Sequence, residues 1–390
     1  MTGTVDPYGK DLERWMPRLL AVWRRSRKRP GPPDRLEARE LKEIGAAVRQ
    51  LSLGLTRDRA LAGERYMDDP RLLGAYLLFY WPVSYAQARQ VLGELPSRPR
   101  VVLDLGSGPG PLSFAALDAG AAEVTAADRS PAALELARAL AAEAEEALAT
   151  RAWDPSKPRT EWPAGEFDVV SAGHLLNELF GSGEQPTALD RRADLLEAAL
   201  GKVKKRGSLV VIEPALRETS RALLGVRDRL VSRGYAIRAP CLYRESCPAL
   251  VKPSDWCHAE RSWQTPPLVE ALAHTAGLHK EALKMSYLVV APRGEAWPPP
   301  PEGRPFRIVS EPLEGKGRQR YIGCGPEGRV GLALQEKHRT ERNERFFTLR
   351  RGDVIRITET EPKGDGLSLG ETSEVAVLAP AGRRVPEPWE

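Results

Sequence analysis

Short apolar runs alternate with amphipathic stretches through the middle of the chain, between residues 97 and 292. The apolar runs have the length and composition of strands that are buried on both faces of a sheet, and they cover residues 101–105, 123–128, 167–172, 208–213 and 285–291. The stretches between them repeat apolar residues at helical spacing, over residues 132–148, 187–203, 219–233 and 267–276. This alternation predicts an α/β fold built on a largely parallel sheet.

The two ends of the chain follow different patterns. Residues 1–96 predict an N-terminal helical region, with helices over 12–23, 35–54, 70–80 and 83–95. A proline-rich linker at 297–301 leads to runs that predict short strands, over 306–309, 318–322, 329–334, 346–349 and 354–358. We therefore predict helices over 1–96, an α/β domain over 97–295 with a cysteine-rich insert at 239–263, and a small β-rich domain over 302–380, folded as a barrel or a sandwich.

The first buried strand runs directly into a glycine-rich turn. The residues from Asp104 to Gly110 read Asp-Leu-Gly-Ser-Gly-Pro-Gly, and glycines let the backbone approach a ligand without an intervening Cβ. The fingerprint for dinucleotide binding requires glycine or alanine where this chain has Pro111, so that alternative fails at one position. The second strand ends in Asp128, whose carboxylate could accept hydrogen bonds from both hydroxyls of a ribose.

Strand, turn, helix, strand and acidic residue together resemble the class I S-adenosylmethionine-dependent methyltransferases. In particular, an acidic residue followed by G-x-G-x-G is similar to motif I of that class. The resemblance implies that the turn packs against the amino-acid end of the cofactor, that Asp104 orients this end and that Asp128 binds the ribose. The residues implied to bind S-adenosylmethionine are Asp104, Gly106, Ser107, Gly108, Gly110 and Asp128.

Composition and charge indicate the compartment and the kind of partner, but not the reaction. The 390 residues are 42% hydrophobic, and no apolar run reaches the length of a membrane span, so we expect no membrane partner. The first residues lack an apolar signal core, and their acidic residues are unusual for a transit peptide, so we expect a cytoplasmic protein. A net charge of +5 favours an anionic partner weakly. The basic residues 24–29 either contact nucleic-acid phosphates or form a solvated helix end.

Three of the four cysteines lie in one proline-rich segment. Cys241, Cys247 and Cys257 have the spacing C-x5-C-x9-C, and clustered thiols in a reducing compartment favour a bound metal. The fourth ligand is then either Cys324 or His258. Zinc sites usually pair ligands about two to four residues apart, so the loose spacing favours an iron–sulfur cluster, with zinc as the alternative. Cysteines without any metal are the third interpretation.

Further motifs make the resemblance more specific. The sequence H-L-L-N-E-L at 174–179 follows the fourth strand, I-E-P at 212–214 ends the fifth, and the cysteine segment and the late lone cysteine come after them. Over about residues 75–330, this set resembles the methyltransferase-like proteins of mitochondrial small-ribosomal-subunit assembly and their bacterial relatives. The resemblance implies binding to small-subunit ribosomal RNA, and a [4Fe-4S] cluster on Cys241, Cys247, Cys257 and Cys324.

The motifs leave open whether such a protein transfers methyl groups. The end of the fourth strand faces the methyl group in this fold, so His174 and Asn177 are the candidate catalytic residues, and Glu178 lies beside them. Helix capping and packing is the alternative role for the first two. The chain has no Asn/Asp-Pro-Pro-aromatic tetrad. We therefore carry two functions forward for a protein that we expect to be monomeric when free: a ribosomal-RNA methyltransferase, and a non-catalytic assembly factor that keeps the fold.

Overall fold

The computed structural model describes residues 8–157, 160–181, 183–301 and 303–386. Residues 1–7 of the predicted helical region, and Glu302 at the start of the predicted β-rich domain, lie outside the described residues. No described helix combines the length and the hydrophobicity that a membrane crossing needs.

Helices form the first part of the described chain. Their bounds are α1 Gly9–Ser26, α2 Ala38–Ser52, α3 Pro70–Ala75 and α4 Trp81–Leu92. A π-helical turn, Tyr76–Tyr80, joins α3 to α4 without a break, where the sequence pattern predicts two separate helices. The wider turn accommodates Pro82, which has no N–H group to donate to a helical hydrogen bond.

Aromatic rings fasten this helical region to the rest of the chain. The ring of Trp15 lies 4.9 Å from that of Phe114 and 5.6 Å from that of Trp81, measured between centroids. The indole N–H of Trp15 donates to a carboxylate oxygen of Asp118 at 2.7 Å. Because both tryptophans are fully buried, α1 and α4 share one core with the helix that follows the glycine turn.

The basic residues 24–29 make contacts within the chain. Arg24 is buried, and its guanidinium group lies 2.7 Å from the carboxylate of Glu40. Arg29 lies 2.9 Å from the carboxylate of Glu43. These ion pairs favour a structural role for the two arginines over contact with phosphate.

The middle of the chain alternates strands and helices. Their bounds are β1 Val101–Leu105, α5 Pro111–Asp118, β2 Glu123–Asp128, α6 Pro131–Ala144, β3 Ala149–Ala152, β4 Phe167–Gly173, α7 Pro186–Leu200, β5 Val203–Pro214, α8 Arg217–Ser232, β6 Ile237–Ala239, β7 Ala259–Ser262, α9 Pro267–Ala276 and β8 Ala282–Val290. The described strands form a first sheet in the order β3-β2-β1-β4-β5-β8-β6, with β7 paired to β8. Strands β1 to β5 are parallel, and β8 runs antiparallel to β5. This order is that of a class I methyltransferase, so the predicted α/β fold is confirmed.

The first sheet is buried on both faces. In β5, Leu209 and Val211 belong to one hydrophobic core, whereas Val210 and Ile212 belong to the core on the opposite face. Successive side chains of a strand point to opposite faces, so a strand between two cores must be apolar at every position. This requirement explains the continuous apolar runs in the sequence.

A second sheet follows the proline-rich linker. Its strands are β9 Arg304–Ile308, β10 Leu313–Gly315, β11 Arg318–Gly325, β12 Gly328–Gln335, β13 Val354–Ile357, β14 Thr360–Lys363, β15 Gly366–Leu369 and β16 Val375–Ala379. Within the described ranges they lie in the order β14-β15-β12-β11-β9-β13-β16, with β10 on β11. Residues Glu344–Thr348 form a 3-10 helix, so the strand predicted at 346–349 is wrong. The amide of Asn343 donates to two nearby carbonyl groups and fixes the turn that precedes this helix.

A buried glutamate joins three parts of the chain. Glu94, which follows α4, lies 3.0 Å from Arg307 of β9 and 3.5 Å from Arg261 of β7. The hydroxyl of Tyr287 in β8 donates to the same carboxylate at 2.5 Å. Glu94 is only 4% exposed, so water screens these interactions little. The helical region and both sheets therefore meet at one carboxylate.

Removal of this carboxylate should destabilise the chain strongly. Glu94→Gln leaves the buried guanidinium groups of Arg261 and Arg307 without a counter-charge, so we expect the free energy of unfolding to fall by about 3 kcal/mol or more. Urea unfolding followed by tryptophan fluorescence measures the change. As a control, Glu327→Gln removes an exposed partner of Arg304 and should cost at most about 1 kcal/mol. Equal losses in the two variants would contradict the role given to Glu94.

Candidate functional site

A first cavity opens at the carboxyl ends of β1, β2 and β4, where ligands bind in open α/β sheets. Gly106, Asp128 and Gly173, which lie at the ends of these strands, contribute to its wall. Trp153 and Asp154, which follow β3, extend the wall to one side. The structure therefore brings the glycine turn and the acidic residue of the second strand to one cavity.

The glycine turn requires its glycines. Gly106, Gly108 and Gly110 have φ angles of 65°, 53° and 83°, in the left-handed region that other residues seldom adopt. A Cβ atom on Gly106 would lie 2.7 Å from Cδ1 of Leu175, and one on Gly108 would lie 3.1 Å from Cε of Met67. Side chains are therefore excluded where the turn passes the cavity.

Asp104 lies inside the first sheet. Its carboxylate accepts hydrogen bonds from the hydroxyl groups of Ser113 at 2.7 Å and Ser171 at 2.8 Å. Burial raises the pKa of Asp104 to about 6, although these hydrogen bonds oppose the rise. Ser107 is also buried, and its hydroxyl donates to the carbonyl of Gly108 at 3.3 Å. Both residues thus fix the conformation around the turn through contacts within the chain.

Asp128 borders the first cavity and holds the turn from the second strand. Its Oδ2 accepts the backbone N–H of Gly108 at 2.8 Å, and its Oδ1 accepts that of Ser130 at 2.7 Å. Burial raises the pKa of Asp128, and the two backbone hydrogen bonds oppose this rise. Carboxylate oxygens have lone pairs for more than one donor, so Asp128 can still accept hydrogen bonds from a ligand in the cavity.

Residues 59–68, here termed the covering segment, pass the first cavity, and residues 64–68 of this segment line it. The guanidinium group of Arg129 donates to the carbonyl of Gly63 at 2.9 Å, and the hydroxyl of Ser130 donates to Asp68 at 3.1 Å. The sequence pattern does not reveal this segment, because its residues show no apolar periodicity and contact positions far away in the chain.

Glu178 is an acidic residue on the side of the cavity formed by β4. The hydroxyl of Tyr66 in the covering segment donates to its carboxylate at 3.0 Å, and Arg129 lies 4.0 Å away. Burial raises the pKa of Glu178 to about 7, and the neighbouring charges of Asp128 and Glu213 add to the rise. A carboxyl group with this pKa can take up or release a proton near neutral pH.

The structure places the two candidate catalytic residues differently. His174 lines the first cavity, with its Nε2 atom 3.0 Å from the amide oxygen of Gln87. Burial, together with Lys280, lowers the pKa of His174 to about 4, so its ring is neutral at pH 7. Asn177 is not among the described residues that line this cavity. Its amide accepts a hydrogen bond from Arg59 at 3.2 Å and donates to the carbonyl of His174 at 2.8 Å, which ties the covering segment to β4.

The four cysteines meet at a second cavity, termed the cysteine cavity, between the two sheets. Cys241 follows β6, Cys247 precedes the short helix Pro248–Leu250, Cys257 precedes β7 and Cys324 lies in β11. All four line this cavity, whose volume is about 70 Å³. A single water needs only about 10–15 Å³ on the same measure. The cavity therefore has room for more than one water-sized ligand.

Helix α8 holds residues 239–263, the cysteine loop, in place. Arg221 donates to three carbonyl groups of this loop at 2.7 to 3.3 Å, and the buried Arg227 donates to two more. Both carboxylate oxygens of Asp228 accept the backbone N–H of Cys247, at 3.0 and 2.9 Å. The loop has little regular structure of its own, so these side chains from α8 set its path.

Burial and mutual repulsion disfavour free thiolates in the cysteine cavity. Burial, and then the charge of Cys241, raise the pKa of Cys247 to about 12 and that of Cys257 to about 11. The pKa of Cys324 is raised in the same way, by burial first and then by the other three thiols. Four thiolates could therefore share this space only with positive charge among them.

Cationic side chains surround the cysteine cavity. Arg307, Arg329 and Arg351 are part of its wall. Arg351 donates to a ring nitrogen of His258 at 3.1 Å, and burial, with Arg351, lowers the pKa of His258 to about 4. The imidazole is thus neutral and engaged with an arginine. Among the residues that the structure describes, no group of three or more His, Cys, Asp or Glu residues could hold a metal ion.

One protein family has a model that matches residues 72–366, about three quarters of the sequence. The family is described as "Mitochondrial small ribosomal subunit Rsm22". This chain belongs to the Rsm22 family. The match spans the glycine turn, the cysteine cavity and all four cysteines, and it confirms the family that the sequence motifs resemble.

Solved structures of methyltransferases are similar to this chain over about half its length. Ribosomal protein L11 methylase from Lactobacillus delbrueckii subsp. bulgaricus is 15% identical, with a TM-score of 0.32, over 54% of this chain and 78% of that one. A methyltransferase from Pyrococcus furiosus is 12% identical, with a TM-score of 0.35, over 54% of this chain and 83% of that one. At such TM-scores these similarities indicate nothing about activity. No curated protein matches the sequence.

Titration of Glu178 should make the chain less stable as the pH rises. Its pKa is about 7 in the folded chain, against an ordinary value of 4.5. The folded state therefore binds more protons between these values, and stability falls as the pH rises through this window. We expect Glu178→Gln to reduce the loss of stability between about pH 5 and about pH 8, by about 2–3 kcal/mol. Thermal unfolding at the two pH values measures this change.

The control for this experiment is Glu123→Gln, at the exposed start of β2. This variant should keep the pH dependence of the wild type, because the substituted group lies in solvent. If Glu178→Gln loses as much stability with rising pH as the wild type does, Glu178 does not titrate as described.

Proposed function

We propose that this chain is an S-adenosylmethionine-dependent RNA methyltransferase that acts on small-subunit ribosomal RNA during ribosome assembly. The observation that carries the proposal is the first cavity, where the glycine turn and Asp128 meet at the carboxyl ends of parallel strands. The family description names the mitochondrial small ribosomal subunit, which supports small-subunit ribosomal RNA as the partner. The proposal includes a cytoplasmic protein, without a membrane partner, that is monomeric when free.

The residues around the first cavity fit S-adenosylmethionine. The bare backbone at Gly106 and Gly108 suits the amino-acid end of the cofactor, because a Cβ atom at either position would contact a neighbouring side chain. Asp128 presents a carboxylate for the ribose hydroxyls, and Trp153 and Asp154 border the space beside it, which suits the adenine. The bound cofactor supplies an electrophilic methyl group, and the chain binds it and orients the acceptor.

Glu178 is the side chain best placed to take a proton from the acceptor. It lines the first cavity, its pKa lies near neutrality, and the hydroxyl of Tyr66 fixes its carboxylate. His174, being neutral, can exchange hydrogen bonds with an acceptor base without adding a charge. We assign Glu178 as the general base and His174 as a positioning residue. Asn177 instead holds the covering segment in place by accepting a hydrogen bond from Arg59.

We propose a [4Fe-4S] cluster in the cysteine cavity, because four thiols line one space there, although the described residues do not form a site for a single metal ion. Its ligands would be Cys241, Cys247, Cys257 and Cys324, whose thiols share one cavity with room for more than a single ion. Bound iron would supply the positive charge that four buried thiolates need. Zinc is the alternative, and it would require the four sulfur atoms to converge to about 2.3 Å from one ion. Either metal would tie the second sheet to the cysteine loop.

A non-catalytic assembly factor is the second candidate function. The position of the covering segment favours it, because Met67 lies against Gly108 of the turn and Tyr66 already occupies the carboxylate of Glu178. In this arrangement the proposed base is bonded within the chain. Such a protein would present the fold and the cluster to ribosomal RNA as a scaffold, without methyl transfer.

Substitution of Asp128 tests cofactor binding. Asp128→Ala removes the proposed ribose contacts, each worth about 1.5–3 kcal/mol for a charged acceptor, so we expect the Kd for S-adenosylmethionine to rise at least about tenfold. Isothermal titration calorimetry measures this affinity. Glu123→Ala, at the opposite end of β2, should bind as tightly as the wild type. Unchanged affinity in Asp128→Ala would place the ligand elsewhere.

Methyl transfer separates the two candidate functions. We expect the wild type to transfer tritiated methyl groups from S-adenosylmethionine to small ribosomal subunits taken from cells that lack the protein. Glu178→Gln should slow this transfer by about a hundredfold and leave cofactor affinity intact. An inactive wild type, together with normal subunit assembly in cells carrying Asp128→Ala, would overturn the methyltransferase proposal and support the assembly factor.

Metal analysis tests the cluster. Protein purified without oxygen should be brown, with about four iron and four sulfide ions per chain. Cys247→Ser should lose the colour and melt at a lower temperature, since the link between the two sheets is lost. One zinc ion per chain in colourless protein would replace the cluster with zinc and make His258 a candidate ligand. An unchanged melting temperature in the variant would contradict the link.

A further inference from the structure

A large cleft separates the helical region and the two sheets on the side of the proline-rich linker. Its volume is about 990 Å³, and its wall includes Arg206 of β5, Arg238 of β6 and the linker residues 297–301. Among the described residues that line this cleft, Cys241 is the only cysteine. The cleft therefore reaches one of the four thiols and not the other three.

Cys241 forms part of the wall between two spaces. It lines the cysteine cavity together with Cys247, Cys257 and Cys324, and it also lines the cleft. Among the described cysteines, Cys241 is thus the one proposed ligand that borders both spaces.

The cleft is positively charged. Its wall contains more arginines than glutamates, namely Arg206, Arg238, Arg244, Arg307 and Arg384 against Glu94 and Glu295. The pair of Arg307 with Glu94, at 3.0 Å, and that of Arg238 with Glu295, at 3.7 Å, cancel two of these charges. Arg206 and Arg244 leave an excess of positive charge on this wall, which favours the entry of a small anion over that of a cation.

Arg244 connects the cysteine loop to the linker at the edge of this cleft. Its guanidinium group donates to the carbonyl of Pro298 at 2.9 Å and lies 5.7 Å from the centre of the Trp297 ring. These contacts join the linker to the cysteine loop near Cys241. A cleft that borders a cysteine is suited to hold a small molecule beside that residue.

We propose that the cleft binds small anionic thiols and that Cys241 is the exchangeable ligand of the cysteine cavity, an inference that rests on the proposed cluster. With a cluster bound, Cys241 would release iron and take up the proton of the incoming thiol, whose sulfur would replace it. One Fe–S bond would break and one would form, without transfer of an electron. Cys247, Cys257 and Cys324 keep their places throughout.

Alkylation rates test access to Cys241 in the full-length chain. The protein is treated with iodoacetate, which is anionic, or with iodoacetamide, which is neutral, and peptide mass spectrometry follows each cysteine with time. We expect Cys241 to react at least about tenfold faster than the other three, with a preference for iodoacetate that Arg206→Ala weakens. The neighbouring Lys205→Ala, outside the described lining of the cleft, should keep this preference. Faster reaction at any other cysteine would overturn the proposal.

Rescue by added thiols tests the exchange itself. In Cys241→Ser, glutathione, an anionic thiol, should restore the visible absorbance of the cluster, and cysteamine, a cationic thiol, should restore less. Cys257→Ser, which removes a thiol that the cleft does not reach, should not be rescued. Equal rescue of both variants, or of neither, would overturn the exchange. A wild type without a cluster would contradict the proposed function and the exchange together, whereas the alkylation rates would still decide whether the cleft gives access to Cys241.

Discussion

The buried carboxylate of Glu94 joins the helical region to the two sheets of this protein. Arg261 of the first sheet and Arg307 of the second sheet both depend on it for a counter-charge. A charge that is buried without a partner is strongly unfavourable. The two sheets and the helical region must therefore stay packed around this carboxylate. Arg307 also lines the cysteine cavity. The ion pairs that join the sheets therefore also position one wall of the site where the four thiols meet.

The sequence predicted the five central strands of the first sheet, β1, β2, β4, β5 and β8, for a physical reason, but not the short strands β3, β6 and β7. A strand between two cores, such as β5, must be apolar at every position, so its run of residues is visible without a structure. The glycine turn after β1 can also be recognised in the sequence, because Gly106 and Gly108 have positive φ angles that other residues seldom adopt. The meeting of Cys324 with the cysteine loop is different. No local pattern brings a residue of β11 to that loop, and only the family resemblance predicted it.

The features of the two sites that the sequence left out depend on contacts between distant residues. Arg221 and Arg227 lie on an ordinary amphipathic helix, and nothing in that pattern shows that they hold the cysteine loop. The raised pKa of Glu178 comes mainly from burial. Part of this burial is due to the covering segment, whose residues show no apolar periodicity. Asn177 has the right residue type and the right position after β4 for catalysis. Its amide nevertheless bonds to Arg59 and to the backbone, which residue type could not reveal.

The order of the cysteines along the chain has a consequence for biosynthesis. Cys241, Cys247 and Cys257 leave the ribosome together, whereas Cys324 follows only after the proline-rich linker and the first strands of the second sheet. A nascent chain thus carries an incomplete set of three thiols until β11 has been made and has folded against the loop. Closure of the cysteine cavity consequently requires β11 to have docked against the cysteine loop. A cofactor held by all four thiols would be acquired only after this docking.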